Sequence, residues 1–430
     1  MKTFFRTFGL GALLTALFAV GGISAFAQDN CGDVDAINSA YQIVLDNYKS
    51  TDNDTFKKAI DAAKSFLEKY GTCEVAKDNV TWVKGRVPVW EKSYADRVRG
   101  AERGKILAGF DDAIKTKNWD AAYTAADELN SKFPNDDARI NLIVPLAWIG
   151  FQQVGAKDNK YNAKAIANAK AALDLIKAGA KAKPSGGYGA FQYECSGKDE
   201  CISFLTYTIG YITYNGDGNK KDAMPYYYEA SKLPGSFKTN PVVYGTIGDF
   251  YYDTVKTMAA DVKVKIADQK DTDTDEVKAK KDADIKQALG MLNGYAERAM
   301  DAYSRAYTLA KADPKTKAYS DSVYKQIQAL YTVRFGGKQE GIDSWITTAV
   351  AKPFPDPTST VTPVIDETTT NTTGGTGTGI GAANGSGIGA ANGTGMGAAN
   401  GNGIATSSAV KPAAPAAKTA STAKTIKPRK

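Results

Sequence analysis

Apolar residues recur three and four positions apart through most of the chain between residues 33 and 352. The segments TFKKAIDAAKSFLEKY and AKAIANAKAALDLIKAG are typical, with lysine and other polar residues between the apolar positions. This spacing places the apolar side chains on one face of an α-helix. The pattern therefore predicts helices through nearly all of this stretch, and an all-α fold.

Turn-forming residues interrupt the helical pattern at intervals. They occur in the segments STDND, KFPNDD, NGDGN, KADPK and RFGGKQ. Glycine, proline, asparagine and aspartate favour turns, so each segment is expected to join two helices. The segment VVYGTIGDFYYDTV carries residues that favour strands, but its length and spacing also suit a helix. We predict an array of antiparallel helical hairpins over residues 28–355.

Several hairpins share small and aromatic residues on one helix face. In residues 202–235 a first helix carries Ile209-Gly210, and a second carries Ala223, Tyr227 and Ala230 at steps of four and three. The small residues let a neighbouring helix approach, and the aromatic ring fills the gap between hairpins. Related spacings are found at Ala59, Ala63 and Phe66, at Ala122, Ala126 and Leu129, and at Ala299, Tyr303 and Ala306.

This arrangement resembles a degenerate form of the tetratricopeptide repeat. The resemblance implies a solenoid of stacked hairpins whose concave surface holds a peptide or a partner protein. The small and aromatic positions are then packing residues between hairpins. Residues that bind a partner are expected on the other faces.

Residues 1–27 have the parts of an export signal. Lys2 and Arg6 precede a short apolar run, and Ala25-Phe26-Ala27 has the small-x-small form of a cleavage site. The run is too short for a confident membrane span, and no later segment approaches the about 20 apolar residues that one needs. We predict a cleaved signal peptide and a mature chain without a transmembrane segment, in the periplasm, at the cell surface or outside the cell. An uncleaved anchor is the alternative.

The chain changes character near residue 358. A Thr/Pro/Gly-rich spacer leads into the octads GIGAANGS, GIGAANGT and GMGAANGN, and a Pro/Ala/Lys-rich end follows. These segments carry too little apolar surface to offset the entropy cost of ordering, so residues 356–430 are predicted to be disordered. The end is basic, with Lys411, Lys418, Lys424, Lys427, Arg429 and Lys430. It suits contact with an anionic envelope polymer, or is a solvated terminus.

Charge and the absence of histidine exclude several functions. The formal net charge is +7, but the leader and the tail hold much of the excess, so residues 28–355 are nearly neutral. This argues against a nucleic-acid partner. A chain without histidine has no Ser-His-Asp or Cys-His catalytic group and no histidine-ligated zinc. We predict no catalytic residues, no cofactor and no metal ligands.

The four cysteines lie in the mature part of the chain, where export favours disulfides. Four cysteines allow three pairings. Cys195 and Cys201 bracket SGKDE, which suits a local bridge, and Cys31 with Cys73 would then clamp the first helical hairpin. The chain has no C-x-x-C motif, the pattern that would indicate redox chemistry.

One acidic segment matches part of a calcium loop. In DTDTDEVKAKKD the residues Asp271, Asp273, Asp275 and Asp282 take positions 1, 3, 5 and 12. Glu276 stands where the loop needs glycine, and the last ligand position has aspartate instead of glutamate. Acids before a lysine-rich run also suit a helix N-terminus, so we predict a charged helix or loop.

Two aromatic segments are the candidate binding sites. The loop PSGGYGAFQYECSGKDEC carries Tyr188, Phe191 and Tyr193 beside the predicted local disulfide, and restrained aromatic loops suit recognition. In MPYYYEA at least one of three successive tyrosines must point away from the core, which favours Tyr226 and Tyr228 as contacts.

Together these features predict a non-catalytic, exported scaffold for a peptide or protein partner of unknown identity. A structural surface or assembly protein, displayed through its glycine-rich basic tail, is the alternative. An enzyme that acts on envelope polymers through two carboxylates is a third and less favoured reading.

Overall fold

A computed structural model of the chain describes residues 30–181, 185–188, 191–195 and 197–365. Within these residues there are twelve α-helices and one two-stranded hairpin. The helices are α1 (Val34–Asn47), α2 (Asn53–Tyr70), α3 (Lys77–Lys115), α4 (Trp119–Lys132), α5 (Ile140–Gly155), α6 (Asn162–Lys177), α7 (Lys198–Tyr211), α8 (Lys220–Lys232), α9 (Pro241–Ala267), α10 (Asp275–Lys311), α11 (Lys317–Arg334) and α12 (Ile342–Ala351). The strands are β1 (Ser185–Tyr188) and β2 (Phe191–Glu194).

The predicted all-α fold of helical hairpins is confirmed. Most helices pack against the next helix along the chain, as α1 does against α2 and α9 against α10. The segment VVYGTIGDFYYDTV lies within α9 and is helical. The predicted signal peptide and most of the predicted disordered tail lie outside the described residues. No helix in the described part of the chain is both long and apolar enough to cross a membrane.

Short polar side chains cap the first turn of several helices. Asp52 in STDND accepts a hydrogen bond from the backbone N–H of Thr55, at 2.9 Å, where α2 begins. Thr274 accepts one from the N–H of Val277 at the start of α10, at 3.4 Å. Such N-caps satisfy amides that have no partner within the helix, and each stabilises it by about 1 kcal/mol.

The chain divides into two compact units between Lys105 and Ile106. The division falls inside α3, whose first part contributes Trp90 to the core of the first unit and whose last part contributes Phe110 to the second. The sequence pattern predicted a single helical domain over residues 28–355. A division inside a continuous helix leaves no turn or linker signal in the sequence.

A disulfide between Cys31 and Cys73 ties together the two ends of the first hairpin, with a Cα–Cα distance of 5.2 Å. The predicted packing residues Ala59, Ala63 and Phe66 are buried in α2. Both the pairing and the packing role predicted from the sequence are confirmed in this unit.

In the second unit the small and aromatic positions lie at helix contacts. Ala299, Tyr303 and Ala306 are fully buried in α10, and the second triad, Ala223, Tyr227 and Ala230, is buried in α8. Gly248 of α9 faces the Tyr303 ring so closely that an added Cβ would lie 2.6 Å from two ring atoms. The predicted packing role of these residues is confirmed.

The chain beyond α12 packs against the helices instead of leaving them. Residues 353–365, here called the strap, follow Lys352, and Val361 within the strap is 7% exposed. The packed part of the chain thus extends ten residues past the predicted boundary at residue 355. Few apolar residues in this segment are enough, because α10 offers a groove into which the backbone fits closely.

Candidate functional site

The first predicted binding segment forms a β-hairpin, where the sequence indicated only a loop. Strands β1 and β2 pair antiparallel, with Tyr188 opposite Phe191 and Gly186 opposite Tyr193. The side chains of the three predicted contacts Tyr188, Phe191 and Tyr193 lie outside the described part of the structure. Their role in binding therefore stays a prediction.

A disulfide between Cys195 and Cys201 joins the end of this hairpin to α7, as predicted. The Cα atoms are 4.6 Å apart, and both residues are buried in the core of the second unit. All four cysteines of the chain are therefore paired.

The three successive tyrosines of α8 point in different directions. Tyr227 is 1% exposed and belongs to the core, whereas Tyr226 and Tyr228 are half-buried. Tyr226 lies beside Lys170 of α6, and Tyr228 lies beside Phe354 of the strap. Residues two apart lie on nearly opposite sides of a helix, so Tyr226 and Tyr228 do not form one site. Their role as contacts stays a prediction, and only Tyr228 adjoins the strap.

The strap lies against two glycines one turn apart on α10. The N–H of Val364 donates to the carbonyl of Gly290 at 2.8 Å, and Asn293 Nδ2 donates to the carbonyl of Val364 at 3.2 Å. A Cβ added to Gly294 would overlap the carbonyl oxygen of Thr362. Gly294 therefore lets the backbone of the strap approach the helix, and Gly290 leaves space for the side chains of Pro363 and Ile365.

Two arginines of α10 bind main-chain oxygens at and before the strap. Arg298 Nη1 donates to the carbonyl of Asp356 at 3.4 Å, and its Nη2 donates to Ser359 Oγ at 3.0 Å. Arg305 Nη2 donates to the carbonyl of Lys352 at 2.7 Å, where α12 ends. These bonds fix the path of the backbone and, apart from the contact with Ser359, do not depend on side-chain identity.

Two apolar side chains hold the strap in place. The Phe354 ring lies 5.8 Å from the Tyr228 ring and 5.3 Å from the Tyr244 ring, with the Arg305 guanidinium 5.0 Å from its centre. Val361 is buried in the same core cluster of the second unit that Phe354 packs against. The strap thus combines two apolar anchors with main-chain hydrogen bonds.

A cavity of about 220 Å³ remains between α10, α12 and the strap. It is lined by Gly294, Glu297, Arg298, Asp301, Trp345, Thr348, Ala349, Lys352, Pro355, Val361, Thr362 and Val364. The indole N–H of Trp345 is buried without a hydrogen-bond partner among the described residues. The strap therefore does not fill its groove completely.

Two carboxylates one turn apart line this cavity, but each is paired with an arginine. Glu297 Oε1 accepts from Arg334 Nε at 2.7 Å, and Asp301 Oδ1 accepts from Arg305 Nε at 2.9 Å. Burial raises the pKa of Asp301 above its ordinary value, and the Arg305 hydrogen bond opposes the shift. These two ion pairs fix the orientation of Arg334 and Arg305 beside the groove.

The acids of the calcium-like segment have other partners. Asp273 accepts from Lys281 Nζ at 2.9 Å and from the N–H of Lys270 at 3.0 Å, while Asp282 accepts from Gln269. Asp275 is the first residue of α10. The segment forms the turn and the charged helix start that the sequence indicated. Within the described residues there is no group of three or more side chains placed to hold a metal ion.

A partly buried carboxyl group that the sequence did not indicate as a candidate lies between α9 and α10. Asp249 accepts a hydrogen bond from the Tyr303 hydroxyl at 2.6 Å, in a region dense with buried tyrosines. Burial raises the pKa of Asp249 to about 6, although the Tyr303 hydrogen bond lowers it. The group thus contributes to the contact between α9 and α10.

The comparisons with known proteins give no relative to set beside this geometry. No family model, no curated protein and no solved structure matches the chain. The strap and its groove were not predicted from the sequence. The available signal was the Gly290-x-x-x-Gly294 spacing, which marks a helix face open to close backbone approach.

Proposed function

We propose that this protein is a non-catalytic, exported scaffold that holds a segment of a partner polypeptide on the helices of its second unit. The observation that supports it most is the strap, a non-helical segment with one turn at residues 356–359 that the helices already hold. Side chains of α8 and α10 hydrogen-bond its main-chain atoms, as Tyr228 does at Phe354 and Asn293 does at Val364. Main-chain contacts give affinity for extended peptides in many recognition domains.

The cavity chemistry favours binding over hydrolysis. A carboxylate pair that hydrolyses a glycosidic bond needs one group to hold and release a proton and the other to act as base or nucleophile. Here Glu297 and Asp301 each accept a hydrogen bond from an arginine, at 2.7 and 2.9 Å, so one oxygen of each carboxylate is already occupied. We therefore place the two acids among the groups that position the groove.

Export is supported by the cysteines and by the leader. Disulfides persist in oxidising compartments, and both cysteine pairs are at bonding distance. The N-terminal sequence has the form of a cleaved signal peptide. We place the protein in the periplasm, at the cell surface or outside the cell.

Photo-cross-linking in intact cells tests the scaffold proposal. A photoreactive amino acid in place of Lys232, which lies beside Tyr228 at the groove, is introduced into three versions of the chain. These are the unaltered protein, Gly294→Leu, which blocks the groove, and Gly109→Leu, a matched change at a helical glycine with open space around it.

We expect one protein to be cross-linked by the unaltered chain and by Gly109→Leu, and to be lost with Gly294→Leu. The reason is that the leucine side chain would occupy the space that the bound backbone needs. Recovery of the same proteins by all three chains, or of none by any of them, would contradict the proposal.

A further inference from the structure

We infer that the strap occupies the groove in which the partner binds. The partner would present a segment with similar apolar and acidic side chains, and this segment would displace the strap. This inference rests on the proposed function and names the site and the ligand class. The partner segment would carry an aromatic residue, an acid two positions later and a β-branched apolar residue five positions after the acid. In the strap these are Phe354, Asp356 and Val361.

The contacts of the strap suit replacement by another chain. Asn293 and Arg298 bind carbonyl oxygens at Val364 and Asp356, and Gly290 accepts the N–H of Val364. Every polypeptide offers these groups, so only a few side chains need to match. Prolines restrict the unbound segment, so a proline-rich segment loses less conformational entropy on binding.

Arg298 is the cation of the groove that favours an acidic segment, because Arg305 and Lys232 also pair with Asp301 and Glu229. Arg298 and Arg305 bind the chain at Asp356 and Lys352, and Lys232 lies with its Nζ 4.3 Å from the centre of the Tyr228 ring. Asp356 is the acid that the strap itself places near Arg298. A partner segment with an acid at this position would meet the same charge.

The unfilled cavity gives a foreign segment an advantage over the strap. Val361 and Thr362 line the cavity of about 220 Å³, so a larger side chain at the position of Val361 has space to enter. One additional buried methylene strengthens binding about fourfold. The strap has an advantage of its own, because it is tethered at Lys352 and acts at a high effective concentration.

Weakening the strap should therefore open the groove to a peptide added in solution. The test uses the full chain with Phe354→Ala and Val361→Ala, which remove both apolar anchors but leave every helix unchanged. The probe is a fluorescent peptide with the sequence of residues 352–365, KPFPDPTSTVTPVI, and the measurement is fluorescence anisotropy.

We expect the loosened chain to bind this peptide at least tenfold more tightly than the unaltered chain does. A second peptide with isoleucine in place of Val361 should bind about fourfold more tightly still. Adding Gly294→Leu to the loosened chain should abolish binding, and adding Gly109→Leu should not. Arg298→Ala provides a second groove variant that leaves the helix contacts intact, with weaker binding expected.

Circular dichroism confirms that each variant is folded. If the folded, loosened chain binds the peptide no more tightly than the unaltered chain, or if neither groove variant weakens binding, the inference is wrong. A dimer of the loosened chain that the peptide dissolves would assign the groove to a second copy and overturn the partner assignment. These results are independent of the cross-linking experiment, which can fail while the peptide still binds.

Discussion

Asp249 is an acid placed where its charge is poorly solvated. It lies in the contact between α9 and α10 and accepts the Tyr303 hydroxyl, and burial raises its pKa from 3.8 to about 6. The nearby Asp253 adds to this shift. Lys220 and Lys256, which pair with Asp253, act in the opposite direction. The folded protein therefore binds this proton more tightly than the unfolded chain does.

The raised pKa fixes the sign of a pH effect on stability. The contribution of protonated Asp249 is complete below about pH 4 and is lost as the pH rises through about 6, which corresponds to about 3 kcal/mol. Asp249→Asn keeps an oxygen that can accept from Tyr303 and removes the titration. We expect urea unfolding of the variant to lack this loss between pH 4 and pH 7. An equal decline in both proteins would show that Asp249 is not responsible.

The close contact between Gly248 and Tyr303 predicts a sharp size limit. An alanine at Gly248 would place its Cβ 2.6 Å from the Tyr303 ring, which is fully buried and has no space to move into. We expect Gly248→Ala to lower the free energy of unfolding by about 1–3 kcal/mol in urea titration.

Gly109→Ala is the control for this substitution. Gly109 also lies inside a helix but has no heavy atom within 4 Å of an added Cβ. Alanine there should raise stability by up to about 1 kcal/mol, because it favours the helix more than glycine does. If Gly248→Ala and Gly109→Ala changed the free energy of unfolding by the same sign and amount, the packing argument would be wrong.

At the level of elements, α10 shows what the sequence could predict. Ala299, Tyr303 and Ala306 repeat at helical spacing, and residues at such spacing share one face, so their burial followed from the pattern. The strap has no such period. Its residues are mostly proline, threonine and serine, and its two anchors, Phe354 and Val361, are too few to indicate packing. Its position depends on a groove that forms only after α10 and α12 have packed.

The candidate site was predictable to the same limited extent. The helical spacing required that some tyrosine of α8 leave the core, and Tyr226 and Tyr228 do so. The spacing could not show which of them meets a binding surface. That depends on Phe354, which is more than a hundred residues away in sequence and beside Tyr228 in the fold.

The two disulfides close loops of different length and should therefore stabilise the folded chain by different amounts. The Cys31–Cys73 bridge closes 42 residues and the Cys195–Cys201 bridge closes 6. In the chain-entropy model these contribute about 4 and about 2 kcal/mol. We expect Cys31→Ser with Cys73→Ser to destabilise residues 31–105 by the larger amount in hydrogen exchange, and the other pair to affect the second unit. A larger loss from the shorter loop would contradict this.

For the whole molecule, the strap changes where the folded body ends. The sequence placed the boundary at residue 355, yet Val361 and Val364 are part of the packed structure. We expect a chain that ends at Ile365 to keep the thermal stability of the full chain. A chain that ends at residue 355 should lose about 2 kcal/mol, because it exposes the surface that Val361 covers.

The truncation at Ile365 also distinguishes a binding scaffold from a surface-assembly protein. A scaffold that ends at Ile365 should still cross-link its partner, since the groove is intact. A protein displayed through its glycine-rich basic tail should instead lose its retention at the envelope, measured by cell fractionation. Loss of retention together with unchanged cross-linking would mean that the tail and the groove have separate roles.

The two glycines under the strap make two distant parts of the chain depend on each other in evolution. Glycine inside a helix costs about 1 kcal/mol relative to alanine, so Gly290 and Gly294 are favourable only while the strap lies against them. In a descendant that lost residues 353–365, selection would no longer oppose larger residues at both positions. Strap and glycines should therefore be inherited, or abandoned, together.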